Sequence, residues 1–284
     1  LITPMKQDGS VDEKSFQNFV EWQIKQGSHG LVPTGTTGES ATLSHQEHIR
    51  VIKLCVEACN HHVPVIAGVG SNSTDETISL AQGAQKAGVD ALLIVTPYYN
   101  KPSQDGLYLH YKTIAQSIDF PIIIYNIPGR CIIDMSVETM QKIVKEYPHI
   151  IGVKDATAKL ERPLETRLAL GQNFIQLSGE DASVTAFLAQ GGCGCISVTA
   201  NVAPKLSSQL HHAWKNNDYD RCFQLRDRLM ALHKAMFCEP SPAPAKYALS
   251  LLQDIDPFCR LPIAPLSQSA QKTVQKAMRD AGIL

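Results

Sequence analysis

One property limits what this chain can fold into more than any other: short, unbroken apolar runs alternate with amphipathic segments along most of its length. The runs are Gly30–Pro33, Pro64–Val69, Ala91–Thr96, Ile122–Asn126, Ile150–Lys154, Phe174–Ser178 and Cys195–Val198. Each is too short for a helix, and most are rich in β-branched residues. Each therefore reads as a strand covered on both faces, the setting of a parallel sheet. Successive runs lie roughly 20 to 35 residues apart, room for one crossover helix each. The opening Leu1–Thr3 reads as the end of a further, first strand. Eight strand–helix units predict an α/β fold, a (β/α)8 TIM barrel over residues 1–216 with its first strand truncated. A doubly wound open sheet is the structural alternative. It is weakened because no G-x-G-x-x-G follows the first strands.

The segments between the runs carry helix signals. Ser44 and Ser73 each precede a glutamate, Glu47 and Glu76, at capping-box spacing. The stretch Asp12 to Gln26 sets Phe16, Phe19, Val20 and Ile24 on one face, and Gly27 ends it. Ser136 opens Val137–Tyr147, which Pro148 stops. After Asn216-Asn217-Asp218 the strand signal ceases. A long helix from Tyr219 to Phe237, a Pro-rich passage Glu239–Pro244, and helices at Lys246–Leu252 and Ser269–Ala281 make 217–284 a C-terminal all-helical region.

Composition removes several function classes. Among 284 residues 44% are hydrophobic and 19% charged, and the formal net charge is −1, with no bias toward nucleic acid or anionic membrane. No apolar run has the length of a membrane span. The opening Leu1-Ile2-Thr3-Pro4 reads as cut within a strand, and no secretory leader pattern is visible. None of the eight cysteines forms a C-x-x-C pair, so free thiols in a reducing cytoplasm are expected. The pairs His61-His62 and His211-His212 lack partners at ligand spacing, and neither a metal nor a cofactor is expected.

In such a barrel the active site gathers where strands end and βα loops begin. Those points hold Thr34–Ser40, Thr96–Asn100, Tyr125–Arg130, Lys154, Gly179–Asp181 and Ser197–Thr199. They bring one amine, several hydroxyls and one guanidinium. Lys154 ends the apolar run Ile150–Val153. An ammonium there must reach water or lose its proton, and a neutral lysine amine is the nucleophile that forms Schiff bases with carbonyl compounds. Imine formation needs a proton shuttle. Tyr125, one strand away, is the best candidate, with Thr36 and Tyr99 able to complete a hydroxyl relay. Thr37 can donate to a carboxylate, and Arg130 offers the bidentate fork that suits a second one. Taken singly each residue has a plainer reading: a turn for Thr36 and Thr37, packing for Tyr98 and Tyr99, a surface charge for Arg130. Glu180-Asp181 occupy the loop where a phosphate would bind, which disfavours a phosphosugar aldolase.

Taken together, Gly35-Thr36-Thr37-Gly38-Glu39-Ser40, Val95–Ser103, Tyr125-Asn126-Ile127-Pro128-Gly129-Arg130 and Gly152–Thr157 closely resemble dihydrodipicolinate synthase sequences. Leu177–Asp181, Ile196–Asn201 and the tail motif Arg260–Pro265 extend the resemblance over essentially the whole chain. It implies condensation of pyruvate with L-aspartate 4-semialdehyde in lysine and diaminopimelate biosynthesis. It also implies that Lys154 forms the pyruvate Schiff base, that Tyr125 shuttles protons, and that Thr36 links it to Tyr99 from a neighbouring subunit. Thr37, Gly179 and Ile196 would surround pyruvate, and Arg130 would receive the semialdehyde carboxylate. The family is typically a homotetramer, a dimer of tight dimers. Inhibited members bind L-lysine at the tight-dimer interface, at positions that correspond here to Ser40, Ala41, His45, His48, Asn72, Glu76 and Tyr98. Two departures stand out: Gly129, where serine is common, and Asp155, where many members have glutamate. Neither carries an expected chemical role.

A sister pyruvate lyase, such as N-acetylneuraminate lyase or a keto-deoxy sugar acid aldolase, would share Lys154 and Tyr125. Thr36-Thr37 and Arg130 fit a short acidic aldehyde better than a polyhydroxylated sugar. A barrel kept as a scaffold without turnover is the alternative of another class.

Overall fold

Ile122-Ile123-Ile124 and Ile150–Val153 leave little polar surface to show to water, and in the computed structural model, which describes residues 1–284, they lie side by side inside a sheet. In chain order the elements begin with α1 (Glu13–Lys25), α2 (His45–Cys59), β1 (Ile66–Gly68), α3 (Thr74–Ala87), β2 (Ala91–Val95) and α4 (Gln104–Ser117). There follow β3 (Ile122–Asn126), α5 (Pro128–Cys131), α6 (Val137–Glu146), β4 (Ile150–Asp155), α7 (Arg162–Leu170) and β5 (Ile175–Ser178). The last are α8 (Val184–Ala189), β6 (Gly194–Cys195), α9 (Pro204–Lys215), α10 (Tyr219–Ala235), α11 (Ala243–Ser250) and α12 (Gln268–Asp280).

The chain forms two compact units: Leu1–Val65 with Val198–Leu284, and Ile66–Ser197. The second holds a six-stranded sheet in the order β1-β2-β3-β4-β5-β6. Every pairing is parallel, with a helix in each connection. Ile122, Ile124, Ile150 and Leu92 are fully buried, as strands covered on both faces require.

The first unit is mostly helical. α1 is capped by Asp12, which accepts from the Ser15 N–H, and it buries Phe16, Phe19 and Val20. Burying side chains of this size contributes about 1.5–3 kcal/mol each. Two runs read as strands form no ladder here. Gly30–Pro33 makes a single parallel bridge, Leu31 to Val65. Leu1–Thr3 makes none, and its polar groups are met individually: the Leu1 ammonium donates to the Val32 carbonyl at 2.8 Å and the Ile2 N–H to Asn201 Oδ1 at 2.8 Å. Cys195–Val198 pairs only as far as Cys195. From Tyr219 onward the only regular elements are helices.

Ser44 completes its capping box with Glu47. Ser73 caps α3 by accepting from the Glu76 N–H, but the Glu76 carboxylate turns instead to the Ser71 hydroxyl. All eight cysteines are unpaired, with Cys193 and Cys238 exposed. No helix is long and apolar enough to cross a membrane.

Candidate active site

Tyr125 and Lys154 are direct register partners on β3 and β4. Register partners on adjacent strands face the same side of the sheet. The Lys154 Nζ accordingly lies over the Tyr125 ring, 4.1 Å from its centroid. Tyr125 is buried and Lys154 half-buried. On the other flank of β4, Gly179 makes room for the amine. A Cβ there would stand 2.7 Å from Ala156 Cβ and 3.1 Å from Lys154 Cε, so a side chain would clash with Ala156 and crowd the lysine. Ile196 follows β6 and is tied by its N–H to the Ser178 carbonyl at 2.9 Å.

Cys195 is the other nucleophile in this neighbourhood, within electrostatic reach of Lys154. Burial pushes its thiol well above the usual range, and the Asp181 carboxylate adds to that. Cys195 therefore stays protonated and a poor competitor for an electrophile.

Arg130 sits on α5, which Pro128 starts at the first helical turn. It is exposed. Ile132 closes the turn at φ 68°, an unfavourable conformation for a β-branched residue. A Cβ at Gly129 would meet nothing within 4 Å, so the position tolerates serine as readily as glycine.

Tyr99 is 90% exposed on a loop of left-handed residues, with φ 69° at Tyr99 and 49° at Lys101. The loop is pinned by Asn100, whose Nδ2 donates to the Asn72 carbonyl at 2.8 Å. Asn72, Glu76 and Tyr98 are half-buried in the same unit.

The remaining sequence candidates lie in the other unit. Thr36 and Thr37 form a 3-10 turn, Thr36–Gly38, and Glu39 ends it at φ 57°. The Thr3 hydroxyl donates to the Gly38 carbonyl at 2.7 Å. Glu39 is paired with Lys246, whose side chain is wholly buried. Glu39 also accepts from the Arg260 N–H at 2.9 Å. Arg260 in turn makes two contacts to the Glu47 carboxylate and donates to the Thr42 and Gly9 carbonyls. The Arg260 hydrogen bonds hold the Glu47 carboxyl down at about 2. Ser40, Ala41 and His45 are half-buried to exposed near the start of α2, and His48 is buried within it.

Residues 1–281 match the Dihydrodipicolinate synthetase family. The chain belongs to that family. A 4-hydroxy-tetrahydrodipicolinate synthase from Rhodospirillum centenum is 58% identical over 284 residues, covering 100% of this chain and 97% of the relative. Among solved structures, the chloride-inhibited dihydrodipicolinate synthase from Acinetobacter baumannii, complexed with pyruvate, is 43% identical with a TM-score of 0.97. It is matched over 100% of this chain and 97% of that one. The enzyme from Cyanidioschyzon merolae with lysine bound is 36% identical with a TM-score of 0.96, over 100% and 97%.

Beside these family positions, the fold exposes a set of residues the sequence reading left out. Asp155 carries no expected role from sequence, yet it is buried and accepts from Arg162 Nε at 2.7 Å. Asn126 and Arg162 are likewise buried, and Asp134 bonds to both. Lys246 is a lone cation in the otherwise apolar stretch Ala243–Leu249. Polar residues placed directly after a fully apolar strand, or singly in an apolar helix, were the available signal.

Proposed function

We propose that this family member condenses pyruvate with L-aspartate 4-semialdehyde through a Lys154 Schiff base, giving 4-hydroxy-tetrahydrodipicolinate. The observation that carries this reading is the Tyr125–Lys154 register pair, with the amine 4.1 Å from the phenol ring centroid beside the space Gly179 leaves.

The Lys154 amine adds to the pyruvate ketone carbon, forming a C–N bond and a carbinolamine. Tyr125 protonates the departing oxygen, water leaves, and the imine forms. Loss of a methyl proton gives an enamine whose carbon adds to the aldehyde. The amino group of the bound semialdehyde then displaces Lys154 as the ring closes. Thr36 and Tyr99 supply the other hydroxyls of the relay. The 90% exposure of Tyr99 suits a side chain offered to a neighbouring copy, in a homotetramer of two tight dimers. Thr37, Gly179 and Ile196 surround pyruvate, and Arg130 takes the semialdehyde carboxylate. We assign an L-lysine inhibitory site to Ser40, Ala41, His45, His48, Asn72, Glu76 and Tyr98, consistent with the lysine-bound Cyanidioschyzon relative. The chemistry uses no cofactor.

We further infer that the six-stranded parallel ladder belongs to a (β/α)8 barrel over residues 1–216, with 217–284 as a helical appendage. We assign the activity to the cytoplasm, where eight unpaired cysteines stay reduced.

The test is product formation with pyruvate plus aspartate semialdehyde against pyruvate plus N-acetylmannosamine. Turnover with the first pair alone is expected. Turnover with the sugar instead would assign the chain to the sister lyases.

A further inference from the structure

Asn126 and Asp155 are the register pair directly after Tyr125 and Lys154. Successive strand residues face opposite sides, so this pair points away from the Tyr125–Lys154 face. Asn126 is 0% exposed, and both of its amide groups are used. Its Nδ2 donates to Asp134 Oδ1 at 2.7 Å, and its Oδ1 accepts from the Met135 N–H at 3.0 Å. One amide therefore grips the far end of the loop that begins with the next residue of its own backbone. That loop, 127–134, carries Arg130. The backbone bonds Arg130 and Cys131 to Ile127, and Ile132 to Pro128, shape the turn itself.

The grip is anchored. Asp134 accepts from Lys159 Nζ at 2.9 Å and faces Arg162 at 3.4 Å, while Arg162 is held on Asp155. Burial opposes ionisation of Asp134, but the hydrogen bonds from Lys159 and Asn126 and the Arg162 charge outweigh it and keep the carboxyl below its usual range. Asn126 thus donates to a carboxylate, the stronger kind of hydrogen bond.

We propose that Asn126 is a positioning residue. By clamping both ends of the 127–134 loop it sets where Arg130 presents its guanidinium, and so how tightly the aldehyde substrate's carboxylate is held, without touching either substrate. This rests on the assignment of Arg130 given above. An amide is required because one group must donate to Asp134 while the other accepts from Met135. Asn126→Asp keeps the acceptor but sets a carboxylate against the Asp134 carboxylate. The double variant N126D/D134N reverses donor and acceptor across the same contact.

The experiment measures steady-state kinetics in both substrates, borohydride trapping of pyruvate, and amide hydrogen exchange of a peptide spanning 127–135. For N126D the KM for the semialdehyde should rise roughly tenfold, the effect of one lost charge-assisted hydrogen bond, with pyruvate KM and trapping within about twofold. Exchange in the loop should quicken. N126D/D134N should return the semialdehyde KM most of the way and slow the exchange again. Equal effects on both substrates, unchanged loop exchange, or no recovery in the double variant would overturn the proposal. Asn126→Ser, smaller and neutral, gives the same readouts should N126D not fold. A failure of the activity assignment itself would show in the wild-type protein, before any variant is made.

Discussion

The strand ends that carry Tyr125 and Lys154 and the turn that carries Thr36 and Thr37 are held in place by different forces. Tyr125 and Lys154 sit in an unbroken ladder: β3 pairs with β2 and β4, and β4 with β5. Their backbone positions follow from sheet hydrogen bonds, and one residue further on come the buried Asn126 and Asp155, the latter held by Arg162. The Thr36–Thr37 turn has no ladder. The strand-like run before it makes one bridge, and the turn ends on a left-handed Glu39 locked to a wholly buried Lys246 and to Arg260. Where the backbone cannot pair with itself, buried side-chain ions do the placing. The consequence is energetic: removing one partner of a buried ion pair strands the other, whereas a ladder tolerates loss of a single side chain.

That contrast can be broken most directly at Lys246. Lys246→Met leaves the Glu39 carboxylate buried without its cation and should cost about 3–5 kcal/mol in urea unfolding. Adding Glu39→Gln should recover most of the loss. On the strand side, Asp155→Asn should cost less, about 1–3 kcal/mol, because Arg162 keeps Asp134 and the Met135 carbonyl as partners. Equal costs at the two sites would erase the distinction drawn between them.

A pH titration sharpens the same comparison. Arg260 holds the folded Glu47 carboxyl at about 2, below its ordinary 4.5. The unfolded chain binds that proton first, so this contribution is complete above pH 4.5 and is lost as the pH falls toward 2. Glu47 is about one-third exposed (32%), so solvent screening reduces its worth to about 1 kcal/mol. Arg260→Met should remove most of this acid-limb dependence, leaving the part due to Ser44, read as the change in unfolding free energy between pH 5 and about pH 2.5.

The smallest effect is expected at Ile132, a β-branched residue at φ 68° and 71% exposed. Ile132→Gly relieves backbone strain but adds freedom to the unfolded chain, and should stabilise the fold by about 0.5 kcal/mol, seen as a rise in Tm of about a degree or two.

The same contrast explains what could be read from the sequence. Ile122–Asn126 and Ile150–Lys154 were legible as strands because burial on both faces writes itself as an unbroken apolar run. Gly30–Pro33 has that composition too, yet only Leu31 bridges. An apolar run reports burial, and pairing depends on a neighbour that lies elsewhere in the chain. Lys154 and Tyr125 stood out as polar groups at the ends of such runs. Helices were legible through their caps: Asp12, Ser44, Ser73 and Ser136 all accept hydrogen bonds from the first turns of their helices. The Glu76 carboxylate was not, because its choice of Ser71 over the helix cap is a matter of three-dimensional competition. Lys246 and Arg162 were missed for a related reason. Lys246 meets Glu39 from far along the chain, and Arg162 ties Asp155, seven residues before it, to the more distant Asp134; an isolated cation carries no mark of the carboxylates it will meet.

The proposed chemistry depends on one covalent bond, between pyruvate and Lys154. Incubating the protein with pyruvate, reducing with borohydride and mapping the added mass by peptide mass spectrometry tests it directly. The adduct is expected on the peptide containing Lys154, and Lys154→Arg should abolish it while the protein stays folded. An adduct on any other lysine, Lys246 included, or an undiminished adduct in Lys154→Arg, would contradict it.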